Sequence, residues 1–219
     1  MNAWHKTTRD LEMEAMFGDF RGLAQALGDP ESAGTLGAAG LPGMGQSANA
    51  AGLRGCVLEY QRKVLVPVEL PLIQQAYGLA SRREIREMLE LDAKVAISGQ
   101  SAELAEASRR VGRRHLKAMR PMRDERMVQR YWREVEAGRA EGWHTLVYGM
   151  FLAVYSVPLR QGLMNYARQT QRGLVLCGVG RGRVSRESGE TLFGEIESGL
   201  KSILGGLGGL DSPLVAAQG

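Results

Sequence analysis

Apolar residues recur every three to four positions along most of this chain, the spacing that lines one face of an α-helix. The Val/Ile/Thr-rich alternating runs of strands are scarce. The pattern predicts a helix over residues 4–27, with Leu11, Ala15, Met16, Phe20, Leu23 and Leu27 on one broad face. A succession of helices follows between residues 51 and 204. The first spans 51–66 and stops at Pro67; the next runs over 69–80, with Pro71 tolerated in its first turn. Ser81 and Glu84 read as an S-x-x-E capping box opening a helix that reaches Ile97. Ser98, Gly99 and Gln100 break it. Helices over 101–119 and 122–137 end before Pro121 and at Gly138. Segments 143–156 and 159–176 flank Pro158, and a loop at 178–183 precedes a last helix over 185–204. No repeat of fixed period is present.

One of these helices differs from the rest. Residues 142–159 carry no charge over 18 positions, so the helix within them has no face suited to water. That length touches the lower limit for a membrane span. The stretch also holds His144, Thr145, Tyr148, Tyr155, Ser156 and Pro158, and a helix buried in protein fits it better. The expected fold class is therefore all-α: a single-domain bundle of about seven to ten helices around the uncharged one, with Tyr148, Phe151, Leu152 and Tyr155 inside. Gly112 and Gly149, on helices otherwise free of breakers, permit close helix approach. Residues 28–52 and 205–219 are Gly-rich and costly to order without outside contacts, the marks of a flexible N-terminal linker and a flexible tail. The chain thus divides into 1–50, 51–204 and 205–219.

Composition adds little until charge is located. The 219 residues are 44% hydrophobic and 24% charged, with a net charge of +4, an ordinary globular balance. Residues 109–133 hold ten cations against Asp124 and Glu125, a local excess of +8 that leaves the remainder at −4. At about 100° per residue, Arg109, Arg110, Arg113, Arg114, Lys117 and Arg120 share one half of their helix. Leu104, Ala107, Val111, Ala118 and Met119 lie opposite. Such a stripe serves as a solvated face, as a contact for an acidic protein, or as a contact for nucleic acid, although interleaved aromatics and known nucleic-acid motifs are missing.

Reaction chemistry finds few parts. Cys56 and Cys177 are the two thiols, too few for a disulfide framework or a Cys-based zinc module; they fit a reducing, cytoplasmic location. Residues 1–10 have neither the n-region nor the h-region of a secretory signal, so export is not expected. His115 sits on the apolar face of its helix and His144 opens the uncharged one. Neither has a metal-ligating neighbour at i+3 or i+4, so core histidines are expected rather than ligands. The run Gly178, Gly180, Gly182 lacks dinucleotide-binding spacing and reads as a turn; no P-loop and no G-x-S-x-G elbow occurs. Glu187 and Glu190, three apart at the start of the last helix, are helix-start charges or contacts. No catalytic, cofactor-binding or metal residue is expected.

Taken together, the helical segments resemble the urease accessory protein F (UreF) family. A-E-L-A-E-A-S-R-R-V-G-R-R-H-L at 102–116 is similar to that family's E-L-R-E-A-S-x-x-x-G-R-x-L-L type helix. E-L-P-L-I-Q-Q-A-Y at 69–77 resembles an upstream family helix, and W-H-T-L-V-Y-G-M-F at 143–151 with Y-A-R-Q-T at 166–170, which contains Tyr166, resembles its central helices. G-R-V-S-R-E-S-G-E at 182–190 falls where the family has a P-L-G-Q-x-D-G-Q type turn, echoed by Gly189 and Glu190 alone. Both ends depart from the pattern: only Leu41, Pro42, Gly43 and Gly45 trace the family's N-terminal segment, and its C-terminal His-Glu and Arg-Leu-Phe elements are absent. The resemblance implies an all-helical, dimeric, non-enzymatic maturation factor. It would bind a UreD (UreH) partner and recruit the GTPase UreG that delivers nickel to apo-urease. Arg109, Arg113, Arg120, Glu187 and Glu190 are the partner-contact candidates; no nucleic acid or membrane is expected. The alternatives are a basic helical regulator that binds nucleic acid and a paralogue serving another metalloenzyme.

Overall fold

A computed structural model describes residues 49–97, 102–119, 125–180, 182 and 184–205. Helices follow one another as α1 (Ala50–Tyr60), a π-helical segment (Gln61–Glu69), α2 (Leu70–Ser81), α3 (Ile85–Ile97), α4 (Ala102–Met119), α5 (Arg126–Glu136), α6 (His144–Val154), α7 (Leu159–Gly180) and α8 (Arg186–Gly205). No strand occurs among the described residues, and the fold is all-α. The expected helix over 4–27, most of the Gly-rich linker, and the tail beyond Gly205 lie outside the described residues.

The uncharged helix is the centre. Every residue of α6 from His144 to Leu152 is buried. Its most extensive contact is with α2. Gly149 makes that approach possible: a Cβ there would stand 2.5 Å from the carbonyl oxygen of Ile73 and 2.8 Å from the Ala76 Cβ. On another side the Tyr148 hydroxyl donates to the Gly162 carbonyl of α7 at 3.0 Å. Gly162 also leaves the space that Leu152 fills, since a Cβ on it would lie 2.3 Å from Leu152 Cδ1. Phe151 is buried and stacks on Tyr155 with ring centroids 4.6 Å apart. At 11 residues α6 is about half of a bilayer span. Among the described residues no helix is long and apolar enough to cross a membrane.

Three boundaries differ from the sequence expectation. Pro67 does not stop the first helix. The chain widens into the π-helical segment instead, where i→i+5 pairing accommodates a residue that lacks an N–H and crowds the preceding turn. The Ser81–Glu84 capping box does not form. Ser81 ends α2 and donates its hydroxyl back to the Tyr77 carbonyl at 2.8 Å, while Glu84 pairs with Arg82 at 2.7 Å. A tight turn with Arg83 at φ 60° makes the corner, and α3 begins at Ile85. Finally, α7 takes the first half of the expected loop, ending at Gly180, while Gly182, at φ 69°, does lie in a turn. Gly178 is buried there because Leu53 of α1 occupies the place of its side chain, a Cβ on it standing 2.5 Å from Leu53 Cδ2. The glycine is a packing device rather than a turn.

Candidate functional site

The chain between α5 and α6 forms a strap, residues 137–143, turned by Gly138 and Gly142 at φ 70° and 74°. A single buried carboxylate holds it. Asp92 of α3 accepts from the Tyr131 hydroxyl of α5 at 2.5 Å, from the Glu141 amide at 2.7 Å and from the Gly142 amide at 3.2 Å. Its own carbonyl accepts from Trp143 Nε1 at 3.0 Å. Burial pushes the Asp92 carboxyl above the usual carboxylate range, against the opposing pull of these donors.

The other wall of the strap is α4. Ser108 Oγ accepts the His144 amide at 3.2 Å, supplying a partner to the first turn of α6. One turn on, Gly112 lies so close that a Cβ would stand 2.0 Å from the Gly142 carbonyl oxygen and 2.7 Å from the His144 nitrogen. Arg109 and Arg113 close over the outside. Their guanidinium groups reach Glu141 Oε2 at 3.2 and 3.4 Å, Arg113 Nε donates to the Glu141 carbonyl at 2.9 Å, and Arg109 lies 5.7 Å over the Trp143 ring. Two of the partner-contact candidates on the outer half of α4 therefore pin the strap.

Inside the bundle a polar seam crosses four helices and the π-helical segment. His115 of α4 and His144 of α6 meet edge to face at 5.3 Å. His144 lies 5.6 Å from the Tyr166 ring of α7, and Tyr148 packs against Tyr166 at 4.9 Å. At the seam's end, the Tyr60 hydroxyl of α1 donates to Glu69 at 2.8 Å. Burial, only partly offset by the Tyr60 and Tyr166 hydroxyls, raises the Glu69 carboxyl to about 7. Burial, aided by the neighbouring His115 and Arg114, drives His144 well below the usual imidazole range, favouring the neutral ring. Among the described residues no three His, Cys, Asp or Glu side chains gather closely enough to hold a metal ion. The seam sets the relative positions of helices, and the Glu69 carboxyl is the group in it raised to about 7.

The remaining sequence candidates are dispersed. Arg120 lies outside the described residues. Glu187 and Glu190 are exposed on the first turns of α8, where Glu190 pairs with Arg186 at 3.2 Å. They belong to a different helix from Arg109 and Arg113. Tyr148, Phe151 and Tyr166 are buried, and Gly112 and Gly149 mark the two closest backbone approaches of the central helix. Cys56 and Cys177 are half-buried and are not joined in a disulfide.

Periodicity contained a signal for the two buried acids. Asp92 falls among the buried Met88, Leu91 and Val95, and Glu69 among Leu65, Leu70 and Ile73, so each is a carboxylate on an apolar stripe. Glu141, by contrast, carries no such mark.

Comparison with known proteins agrees with this architecture. The family model of UreF matches residues 47–190, from just before α1 into the first turn of α8. The chain is also similar to the urease accessory protein UreF of Sporosarcina pasteurii, at 24% identity over 135 residues, 61% of this chain and 67% of that protein. The family match takes in the central helix, the strap and the whole polar seam, and on that extent the chain belongs to the UreF family.

Proposed function

We propose that this protein is a urease accessory factor that works by binding rather than by turnover. It docks on a UreD/UreH-type partner, and the complex recruits a UreG-type GTPase that delivers nickel to apo-urease in the cytoplasm. Nickel is cargo in this reading, and the chain acts as a homodimeric scaffold. The observation that carries it is the family match over residues 47–190. The rigidly packed interior supports it, because a docking scaffold needs surfaces held at fixed relative positions. Arg120, Glu187 and Glu190 enter as direct partner contacts, whereas Arg109 and Arg113 contribute through the strap they hold by way of Glu141. The test is co-expression with the UreD-type and UreG-type proteins, followed by affinity purification and light scattering. A ternary complex containing two copies of this chain is expected. Partners that elute separately at micromolar concentration contradict the reading.

A further inference from the structure

Among the described residues Arg54, Lys63, Arg82, Arg86, Arg109, Arg113, Arg139, Arg168 and Arg186 each lie against a carboxylate. Of the exposed cations with no ion-pair partner there, Arg62, Arg83 and Lys94 stand singly on separate elements, whereas Arg126, Arg130 and Arg133 share one helix, α5. At about 100° per residue they fall within an arc of roughly 60°. That arc lies directly opposite the buried Met127, Val128, Tyr131 and Val135. Glu134 stands four positions after Arg130, a spacing that pairs on helices. Its carboxylate is instead held by Arg139, at 2.6 and 2.9 Å. Three like charges at i, i+4 and i+7 repel one another, and among the described residues no carboxylate pairs with them.

The outer face of α4 repeats the pattern. Arg110 and Lys117 are exposed there, again without an acidic partner among the described residues. Five residues join the end of α4 to the residue preceding α5, so Lys117 and Arg126 sit at neighbouring helix ends, within about 30 Å of chain.

We infer that the outer face of α5, centred on Arg126, Arg130 and Arg133 and extended toward Lys117, is the docking surface for an acidic protein face. The inference rests on the scaffold reading above and names the chemistry of one of its partners. A protein fits better than nucleic acid because this face has no aromatic platform: Tyr131 is buried and Trp132 packs against the core. The surface is rigidly mounted, since the opposite side of α5 is core and its Tyr131 hydroxyl is bonded to Asp92. Fixed charge of this kind steers encounter and sets orientation.

The test is made in the full chain with Arg126→Glu/Arg130→Glu/Arg133→Glu, the neutral triple change to Gln, and an Arg86→Glu/Lys94→Glu control on α3. Probes are the purified UreD-type protein, the UreG-type GTPase, and a duplex of about 30 base pairs, each at roughly 50 and 300 mM salt. The expected result is unchanged helix content, and binding to one of the two proteins weakened at least about tenfold at low salt by the reversal. The neutral variant should be weakened less, the difference should narrow at high salt, and the control should bind normally. A reversal variant that binds both proteins as the wild type does overturns the surface while leaving the scaffold reading intact. Duplex binding lost on reversal, with both proteins still bound, assigns the face to nucleic acid and overturns it too. A wild type that binds neither protein overturns the surface and the scaffold reading together.

Discussion

Replacing Asp92 tests the strap most sharply. In the native protein its carboxylate accepts from the Tyr131 hydroxyl, the Glu141 amide and the Gly142 amide. Asp92→Ala deletes every one of these acceptors. Glu141 is only partly buried and its amide regains water, but the Tyr131 hydroxyl and the Gly142 amide remain buried. Each buried donor left unpaired costs about 1–3 kcal/mol, so with the small cavity added the expected loss is about 3–5 kcal/mol. Asp92→Asn keeps the shape and one oxygen, and its expected loss is about 1–3 kcal/mol. Tyr131→Phe leaves two backbone donors on the carboxylate and should cost about 1–2 kcal/mol. Urea unfolding measures all three, and the Asp92→Asn/Tyr131→Phe double mutant should show coupling of about 1 kcal/mol or more. Hydrogen exchange adds a local readout: the Gly142 amide should exchange faster in Asp92→Asn, relative to amides in α6. An Asp92→Ala loss under about 1 kcal/mol, or unaltered Gly142 exchange, refutes the hub role.

Three further outcomes follow. Gly149→Ala gains helix propensity of about 1 kcal/mol but forces a Cβ against the Ile73 carbonyl, so a net loss of about 1–3 kcal/mol is expected; Gly55→Ala, with nothing within 4 Å, should gain about 0.5–1 kcal/mol, and equal effects at the two sites in urea melts contradict the packing argument. Glu69 has a folded pKa raised to about 7 from 4.5, so its contribution is full below about pH 4.5 and lost as pH rises through 7. The wild type should therefore lose about 3 kcal/mol between pH 4.5 and 8 relative to Glu69→Gln; a pH-independent difference refutes this. Leu152→Ala, at the centre of α6, should cost about 2–5 kcal/mol in the same assay, and a loss under about 0.5 kcal/mol contradicts its place in the core.

Helices were legible because their apolar faces are written in the local sequence, and α6 was legible because it lacks charge altogether. Where tertiary contacts override local preference, legibility failed. Pro67 reads as a stop only if the ladder must stay i→i+4, and the π-helical segment relaxes that condition. Gly178 reads as a turn until Leu53 is known to fill its side-chain space. Ser81 and Glu84 have capping-box spacing, but Ser81 is already spent on the Tyr77 carbonyl. The site was less legible than the fold for the same reason. His115 and His144 stand 29 positions apart, and Arg109 finds Glu141 across 32, so neither meeting has a local signature. Asp92 and Glu69 were the exceptions available to a reader of the apolar stripe, since a carboxylate within it must find buried donors.

The most direct test of the accessory role is urease activation in a strain whose own UreF gene is deleted while the urease subunits and the other accessory genes remain. Supplying this chain in trans should restore urease activity and the nickel content of purified urease. The chain alone should neither hydrolyse urea nor GTP. A stable, helical, well-expressed chain that restores neither activity nor nickel occupancy contradicts the proposed function.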